Sequence, residues 1–199
     1  DPAQSGPVMI PACPLMHGTG QFSAMIVLVL GGAVVTLANR KFDVAELWRT
    51  VQDRKVNSII IVGDAFAKPM LAHLEANAGA YDLSSVAAIT SSGVMWSQET
   101  KKGLLRHIPQ ALLFDSHGSS EAVGMSASVS SKDGASRAAA FMLGPLAGVF
   151  TDDGRRVEPG SDETGMVAVS GFIPLGYYKD EAKTAATFRI FEGRRWSVP

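Results

Sequence analysis

Apolar and polar positions follow two regimes along this chain. Up to residue 124, short β-branched runs alternate with stretches whose apolar residues recur at helical spacing. Val8–Pro11 reads as a strand, residues 22–30 as a buried helix, and residues 33–37 as a strand behind the Gly31-Gly32 break. Asp43 with Glu46 makes a capping-box pattern, and Val44, Leu47, Trp48 and Val51 then recur on one helix face. Residues 58–62 (SIIIV) predict a buried strand. Residues 64–78 predict a helix with Phe66, Met70, Leu71 and Leu74 on one side, and residues 86–90 the next strand. Ser97 is placed to cap a helix that runs to His107. Residues 111–114 then form a strand that opens into a polar segment.

Beyond Gly124 the pattern changes. Residues 126–140 (SASVSSKDGASRAAA) predict a weakly ordered loop. Asp152-Asp153-Gly154 between residues 148–151 and 155–157 signals a hairpin. Residues 165–171 predict a strand, residues 180–188 a short helix capped by Asp180, and residues 188–196 a last hairpin around Glu192-Gly193. The expected fold class is therefore α/β. A mostly parallel sheet flanked by helices occupies residues 1–124, and a loop with a β-rich subdomain occupies residues 125–199.

Composition narrows the function classes. With 199 residues the chain has room for one domain or two small ones. Eighteen basic and 19 acidic side chains give a net charge of −1, so no nucleic-acid partner is expected. The single cysteine, Cys13, excludes an intramolecular disulfide and suits a reducing, cytoplasmic setting as a buried structural thiol. No Asp, Glu, Lys or Arg occurs from Pro2 to Asn39. A span needs about 20 apolar residues in a row, and Gly31-Gly32 interrupts this run, so no transmembrane helix is expected; peripheral membrane contact stays open. The chain opens on DPAQSGPVMI, without Met or a signal pattern, and closes on RRWSVP, so both ends are expected to be cuts through a longer protein.

The candidate chemistry concentrates in LLFDSHGSSEAVG, residues 112–124. A buried strand opening into a small polar loop is where α/β proteins place ligand sites. Asp115, His117 and Ser119 suggest a hydrolytic triad, but residues two apart on an extended segment lie side by side, whereas a triad needs the base between nucleophile and carboxylate. No G-x-S-x-G occurs, and HGTG at residues 17–20 is too short to signal an oxyanion loop. His17, His73, His107 and His117 show no zinc spacing with Cys13 or one another. Glu121, beside two hydroxyls, suits a Mg²⁺ ion shared with a phosphate, because Mg²⁺ takes hard oxygens and often only one or two protein carboxylates. On spacing alone, a solvated loop glutamate fits equally well.

Four stretches in order, PLMHGTG (14–20), SSGVMW (91–96), DSHGSSEAVG (115–124) and GYYKDEAKTAATF (176–188), resemble the adenylate-forming acyl-CoA synthetases. The nearest branch resembles fatty-acid–CoA ligases of the bacterial lipid and sterol side-chain type. The resemblance implies ATP, Mg²⁺ and CoA acting on a small carboxylic acid. It places Glu121 on Mg²⁺ and Ser120 on the α-phosphate, and assigns Asp115, Ser116, His117, Gly118 and Ser119 to the nucleotide. His117 stands where the family commonly has an aromatic that stacks on adenine, and Ser92, Gly93 and Val94 match the backbone lining its other side. His17 matches the histidine between acyl tunnel and phosphates. Gly176 and Tyr177 match residues framing the pocket, and Met95 stands where proline is usual. Met95 and Trp96, with Met25 and Phe22, would line an acyl tunnel, although large apolar residues at such spacing are more often core. The resemblance also implies a phosphate loop before Val8, a ribose-binding Gly-Asp just past Pro199 and a small C-terminal domain with a lysine. Without them the chain is expected not to complete catalysis alone. The rivals are a non-catalytic nucleotide-binding protein of the same fold and an adenylating enzyme that loads a carrier protein.

Overall fold

A computed structural model describes residues 6–134 and 141–199. The first regime folds into β1 (Val8–Pro11), α1 (Gly18–Val29), β2 (Ala33–Val34), α2 (Val44–Arg54), β3 (Ser58–Ile61), α3 (Asp64–Ala76), β4 (Ala88–Ser92), α4 (Gln98–His107) and β5 (Leu112–His117). Next come β6 (Ser126–Ser130), β7 (Met142–Leu143), β8 (Ala147–Phe150), β9 (Met166–Ser170), α5 (Glu181–Thr187), β10 (Phe188–Phe191) and β11 (Arg194–Ser197). One sheet has the order β2-β1-β3-β4-β5-β6-β7, and a second, antiparallel sheet the order β10-β11-β9-β8. In the larger sheet β1 pairs in parallel with β2 and β3, and β3 with β4, while β6 and β7 run antiparallel. The α/β expectation holds. The chain divides into two compact units, residues 1–115 with 128–140, and residues 116–127 with 141–199.

In the first unit, helices bury one face each. Asp43 caps α2 by accepting the Glu46 amide at 3.1 Å, but the Glu46 carboxylate turns to the amides of Ala38 and Asn39. The capping box is thus half made, and its second arm instead ties down the chain that enters the helix. Leu47, Trp48 and Val51 meet Ile59, Ile61, Met70, Ile89, Leu104 and Leu113 in one core, and the Trp48 indole donates to the Met70 carbonyl at 3.3 Å. Ser97 caps α4 by accepting the Thr100 amide, as expected. Cys13 is buried, and burial pushes its thiol pKa up.

Several expectations need correction. The helix expected over residues 22–30 starts at Gly18 and is not buried all round: Gly20, Ala24 and Val27 face inward, while Met25, Ile26, Leu28 and Val29 are exposed. No described helix is long and apolar enough to cross a membrane. The strand expected over residues 33–37 shrinks to Ala33–Val34. It lies so near the preceding segment that a Cβ on Gly32 would come within 2.2 Å of the Pro7 carbonyl oxygen. The strand expected over residues 86–90 is shifted to Ala88–Ser92. The first part of the loop expected over residues 126–140 is strand β6, with Ser126, Ser128 and Ser130 buried, because small hydroxyl side chains suit a crowded sheet face; residues 135–140 lie outside the described residues. Residues 155–157 carry one isolated bridge, Phe150 to Arg156, in place of a full strand.

In the second unit, Phe150, Phe191 and Trp196 form the core, and the Arg156 guanidinium lies 4.8 Å from the Phe150 ring centroid while pairing with Glu192. The β10–β11 hairpin turns at Glu192 (φ 51) and Gly193 (φ 71), the left-handed pair that a two-residue hairpin requires.

Strand β5 runs three residues further than expected, through Asp115, Ser116 and His117. A buried carboxylate can sit in a sheet only with a partner, and Lys101 of α4 supplies it. Lys101 is 3% and Asp115 5% exposed, and the ammonium donates to Asp115 Oδ2. The same ammonium lies 5.5 Å from the Trp96 ring centroid. Breaking such a pair leaves one charge buried and alone, so Lys101→Met is expected to cost about 3–5 kcal/mol. Replacing both charges, K101M with D115L, should recover most of that loss. Urea unfolding followed by circular dichroism reads both values; a loss below about 1 kcal/mol for K101M would place the pair among weak surface bridges.

Candidate functional site

The polar segment after β5 folds back on itself in the second unit. Ser119 and Ala122 exchange backbone hydrogen bonds at 3.0 and 3.2 Å, and the Ser119 hydroxyl accepts the amides of Glu121 (3.2 Å) and Ala122 (3.1 Å). Serine is the natural residue for such a turn, because its side chain replaces a backbone acceptor. The Ser119 hydroxyl is thereby engaged within the loop, whereas the Ser120 side chain is exposed.

Glu121 is the chemical centre of this loop. Its Oε1 accepts a 2.6 Å hydrogen bond from the Tyr177 hydroxyl, 56 residues away in sequence. That bond is the largest influence lowering its pKa below the ordinary carboxylate value; partial burial opposes it, and Ser119 and the charge of Lys183 assist. Tyr177 is held in turn. Its amide donates to Thr184 Oγ1 at 2.9 Å, and the Lys183 ammonium lies 4.0 Å from its ring centroid. Gly176 lets the chain pass close to α5, since a Cβ there would sit 2.6 Å from Thr184 Cγ2. The outcome is a charged carboxylate whose Oε1 is fixed by Tyr177, with no hydrogen bond of ordinary geometry to Oε2 among the described residues.

This arrangement decides which metal chemistry fits. Among the described residues no group of three or more His, Cys, Asp or Glu side chains could hold a metal ion. A resident, fully protein-ligated cation does not match that donor set. A hard cation arriving with phosphate oxygens and water does, because it requires a single carboxylate.

His117 stands at the end of β5, exposed, with Nδ1 3.2 Å from Ser126 Oγ and its ring edge-on to Phe141 at 6.2 Å between centroids. With Gly118 and Ser119 it lines an open cleft of about 420 Å³ whose apolar wall is Met125, Met166 and Val167. Sequence reasoning missed that wall, since methionines at strand positions carry no signal beyond packing.

Ser116 is half-buried on β5 in the second unit, and the other expected residues lie in the first. Ser91 Oγ accepts the Gly63 amide at 2.8 Å and donates to the Val94 carbonyl at 3.1 Å, closing a turn through Gly93 at φ 87. This turn leaves Ser92 half-buried and the side chains of Val94 and Met95 exposed. Trp96, expected against the acyl chain, is 3% exposed and belongs to the core. Asp115, expected near the nucleotide, spends Oδ2 on Lys101, and its Oδ1 is buried without a partner among the described residues. His17 is exposed and caps α1, its Nδ1 accepting the Thr19 amide at 3.4 Å. Within the second unit the structure brings Ser119, Glu121 and Tyr177 together. The partnership of Lys101 with Asp115 was missed, yet Lys101 shares its helix face with Leu104, Leu105 and Ile108, the mark of a buried cation in need of an anion.

Comparisons with known proteins place the chain in a family. The 3-oxocholest-4-en-26-oate–CoA ligase of Rhodococcus rhodochrous is 41% identical over 202 aligned positions, covering 98% of this chain and 36% of the relative. A medium/long-chain-fatty-acid–CoA/3-oxocholest-4-en-26-oate–CoA ligase of Mycolicibacterium smegmatis is 37% identical, covering 99% of this chain and 36% of the relative. The chain thus spans little more than a third of the length of these relatives. The crystal structure of a long-chain-fatty-acid–CoA ligase from Archaeoglobus fulgidus superposes with a TM-score of 0.77 at 17% identity, covering 96% of this chain and 40% of that one, which establishes the fold. The family model for AMP-binding enzymes matches residues 1–178, and the chain belongs to that family.

Proposed function

We propose that this chain supplies the nucleotide- and metal-handling part of an ATP- and Mg²⁺-dependent acyl-CoA ligase for a fatty or sterol-derived acid. The observation that carries the reading is Glu121, charged, fixed through Oε1 by Tyr177 and open at Oε2. The acid class comes from relatives that are named as ligases of fatty acids and of a 3-oxocholestenoate.

In the proposed reaction the acid's carboxylate oxygen forms a bond to the α-phosphorus of ATP as the bond to pyrophosphate breaks, giving an acyl-adenylate. The CoA thiol then attacks the acyl carbon, loses its proton and releases AMP. Two anions must approach in the first step, so the site must spread negative charge. When bound with the nucleotide, Mg²⁺ supplies that positive charge. Glu121 would hold the metal–phosphate unit through Oε2, and the exposed Ser120 hydroxyl would donate to an α-phosphate oxygen. His117 offers its ring face to adenine in the cleft bounded by Met125 and Val167, and in the first unit the nucleotide role falls to the turn at Ser92, Gly93 and Val94. Asp115, Ser116, Gly118 and Ser119 shape that loop. Gly176 and Tyr177 frame the substrate side of the Glu121 loop in the second unit, and in the first unit His17 and Met95 are the residues that the family resemblance assigns to the acid.

Calorimetric titration of the chain with Mg²⁺ and ATP tests this reading. Glu121→Gln keeps size and hydrogen bonding but removes the charge, and should weaken Mg²⁺-dependent ATP binding about 10–100-fold. Equal binding by wild type and E121Q would overturn it. The pH dependence has a defined sign. A carboxylate lowered in the folded protein is charged through neutral pH and gives up its contribution only as pH falls through its folded value. Tyr177→Phe removes the main lowering influence, so the acid limb of Mg²⁺-dependent ATP binding should move to higher pH. An unmoved limb would show that the phenol does not hold Glu121 ionised.

A further inference from the structure

Arg195 has no part in the site described so far, yet its geometry bears on it. It lies on β11, opposite Ile190 of β10. Nη1 donates to the Pro174 carbonyl and Nη2 to the Leu175 carbonyl, both at 2.7 Å, and the guanidinium lies 4.4 Å from the Phe188 ring centroid. Among the described residues no carboxylate pairs with Arg195, whereas Arg155 and Arg156 of the same unit pair with Glu163 and Glu192. A rigid planar fork matching two successive carbonyls, with its face on an aromatic ring, uses every preference that separates arginine from lysine.

The two carbonyls directly precede Gly176 and Tyr177. Ile173 anchors the start of the segment against Ala122, Met125 and Val169, but Pro174 and Leu175 themselves are exposed, so the fork holds the part that packing leaves out. Downstream, Thr184 takes the Tyr177 amide and so fixes the other end. Tyr177 is therefore pinned from both sides, by α5 after it and by the Arg195 fork before it. Its hydroxyl then reaches Glu121 Oε1 at 2.6 Å, and at that length the bond tolerates little displacement of the ring.

We infer that Arg195 is a positioning residue, whose guanidinium fork anchors residues 174–175 so that the Tyr177 hydroxyl meets Glu121. The inference rests on the reading of Glu121 as the metal-bearing carboxylate for its functional consequence, but its structural half is measurable without metal. Lysine cannot fork across two carbonyls, so R195K keeps the charge and loses the geometry.

Two measurements on the chain test it. In metal-free protein, hydrogen exchange at the Tyr177 amide should speed up about tenfold or more in R195K and R195M, while core amides such as that of Phe150 keep their protection. With ATP present, the Mg²⁺ concentration at half-saturation should rise about tenfold in R195M. In a Y177F background the same substitution should add nothing further, as expected for residues acting through one link. Uniformly faster exchange with unchanged Mg²⁺ dependence would reduce Arg195 to a general stabiliser. Additive effects in the double variant would show that it does not act through Tyr177; if R195M fails to fold, R195K carries both tests. An E121Q control separates the two readings. If E121Q leaves Mg²⁺ dependence intact, the metal role of Glu121 falls; if E121Q abolishes it and R195K matches wild type, only the Arg195 inference falls.

Discussion

A loop carboxylate points one oxygen in a fixed direction, leaving the other open, only if a partner grips it. The Tyr177–Glu121 hydrogen bond meets that requirement here, joining a turn near the middle of the chain to a motif 56 residues later. Around it the second unit is organised as a set of restraints. Thr184 of α5 holds the Tyr177 amide and Lys183 lies against its ring, Ser119 fixes the turn, and Arg195 fixes the backbone that leads to the ring. None of these bonds is strong singly in partly exposed surroundings. Their value lies in direction, since a group already held in place need not be ordered when a ligand arrives.

The first unit solves a different problem. Its sheet must carry polar residues to the end of β5 without losing strand structure. The buried Lys101–Asp115 pair makes that affordable, and it does so from the helix that begins directly after the Ser92–Trp96 turn. Ser97, which caps that helix, also accepts the Thr100 amide and donates to Asp64 at the start of α3. Cap, helix and ion pair thus connect the two sequence stretches given nucleotide roles through a few residues of one unit.

Most of the fold was legible because local signals and burial agree. The caps at Asp43, Ser97 and Asp180, the SIIIV strand and the Glu192-Gly193 turn all state their geometry in a few residues. Reading failed where packing overrides pattern. Five residues of alternating serine look like a loop until a neighbouring strand gives them partners, and β6 is the result. An apolar run looks like a buried helix, but only one face of α1 has somewhere to go within this chain. In the site, residue types were legible and partnerships were not. Glu121 and Tyr177 each stood in a recognisable motif, yet nothing in either stretch says that they share a hydrogen bond. Lys101 was readable from its helix face, and Arg195 was not, because a surface arginine that binds backbone carbonyls looks like any other.

The most direct test uses Mn²⁺ in place of Mg²⁺ with ATP, because its unpaired electrons broaden only the resonances near it. If Glu121 carries the metal–nucleotide unit, substoichiometric Mn²⁺–ATP should selectively broaden the Glu121 side-chain carboxyl and the amides of Ser119, Ser120 and Ala122, and E121Q should lose that broadening. Broadening that leaves this loop untouched, or that persists unchanged in E121Q, would contradict the assignment.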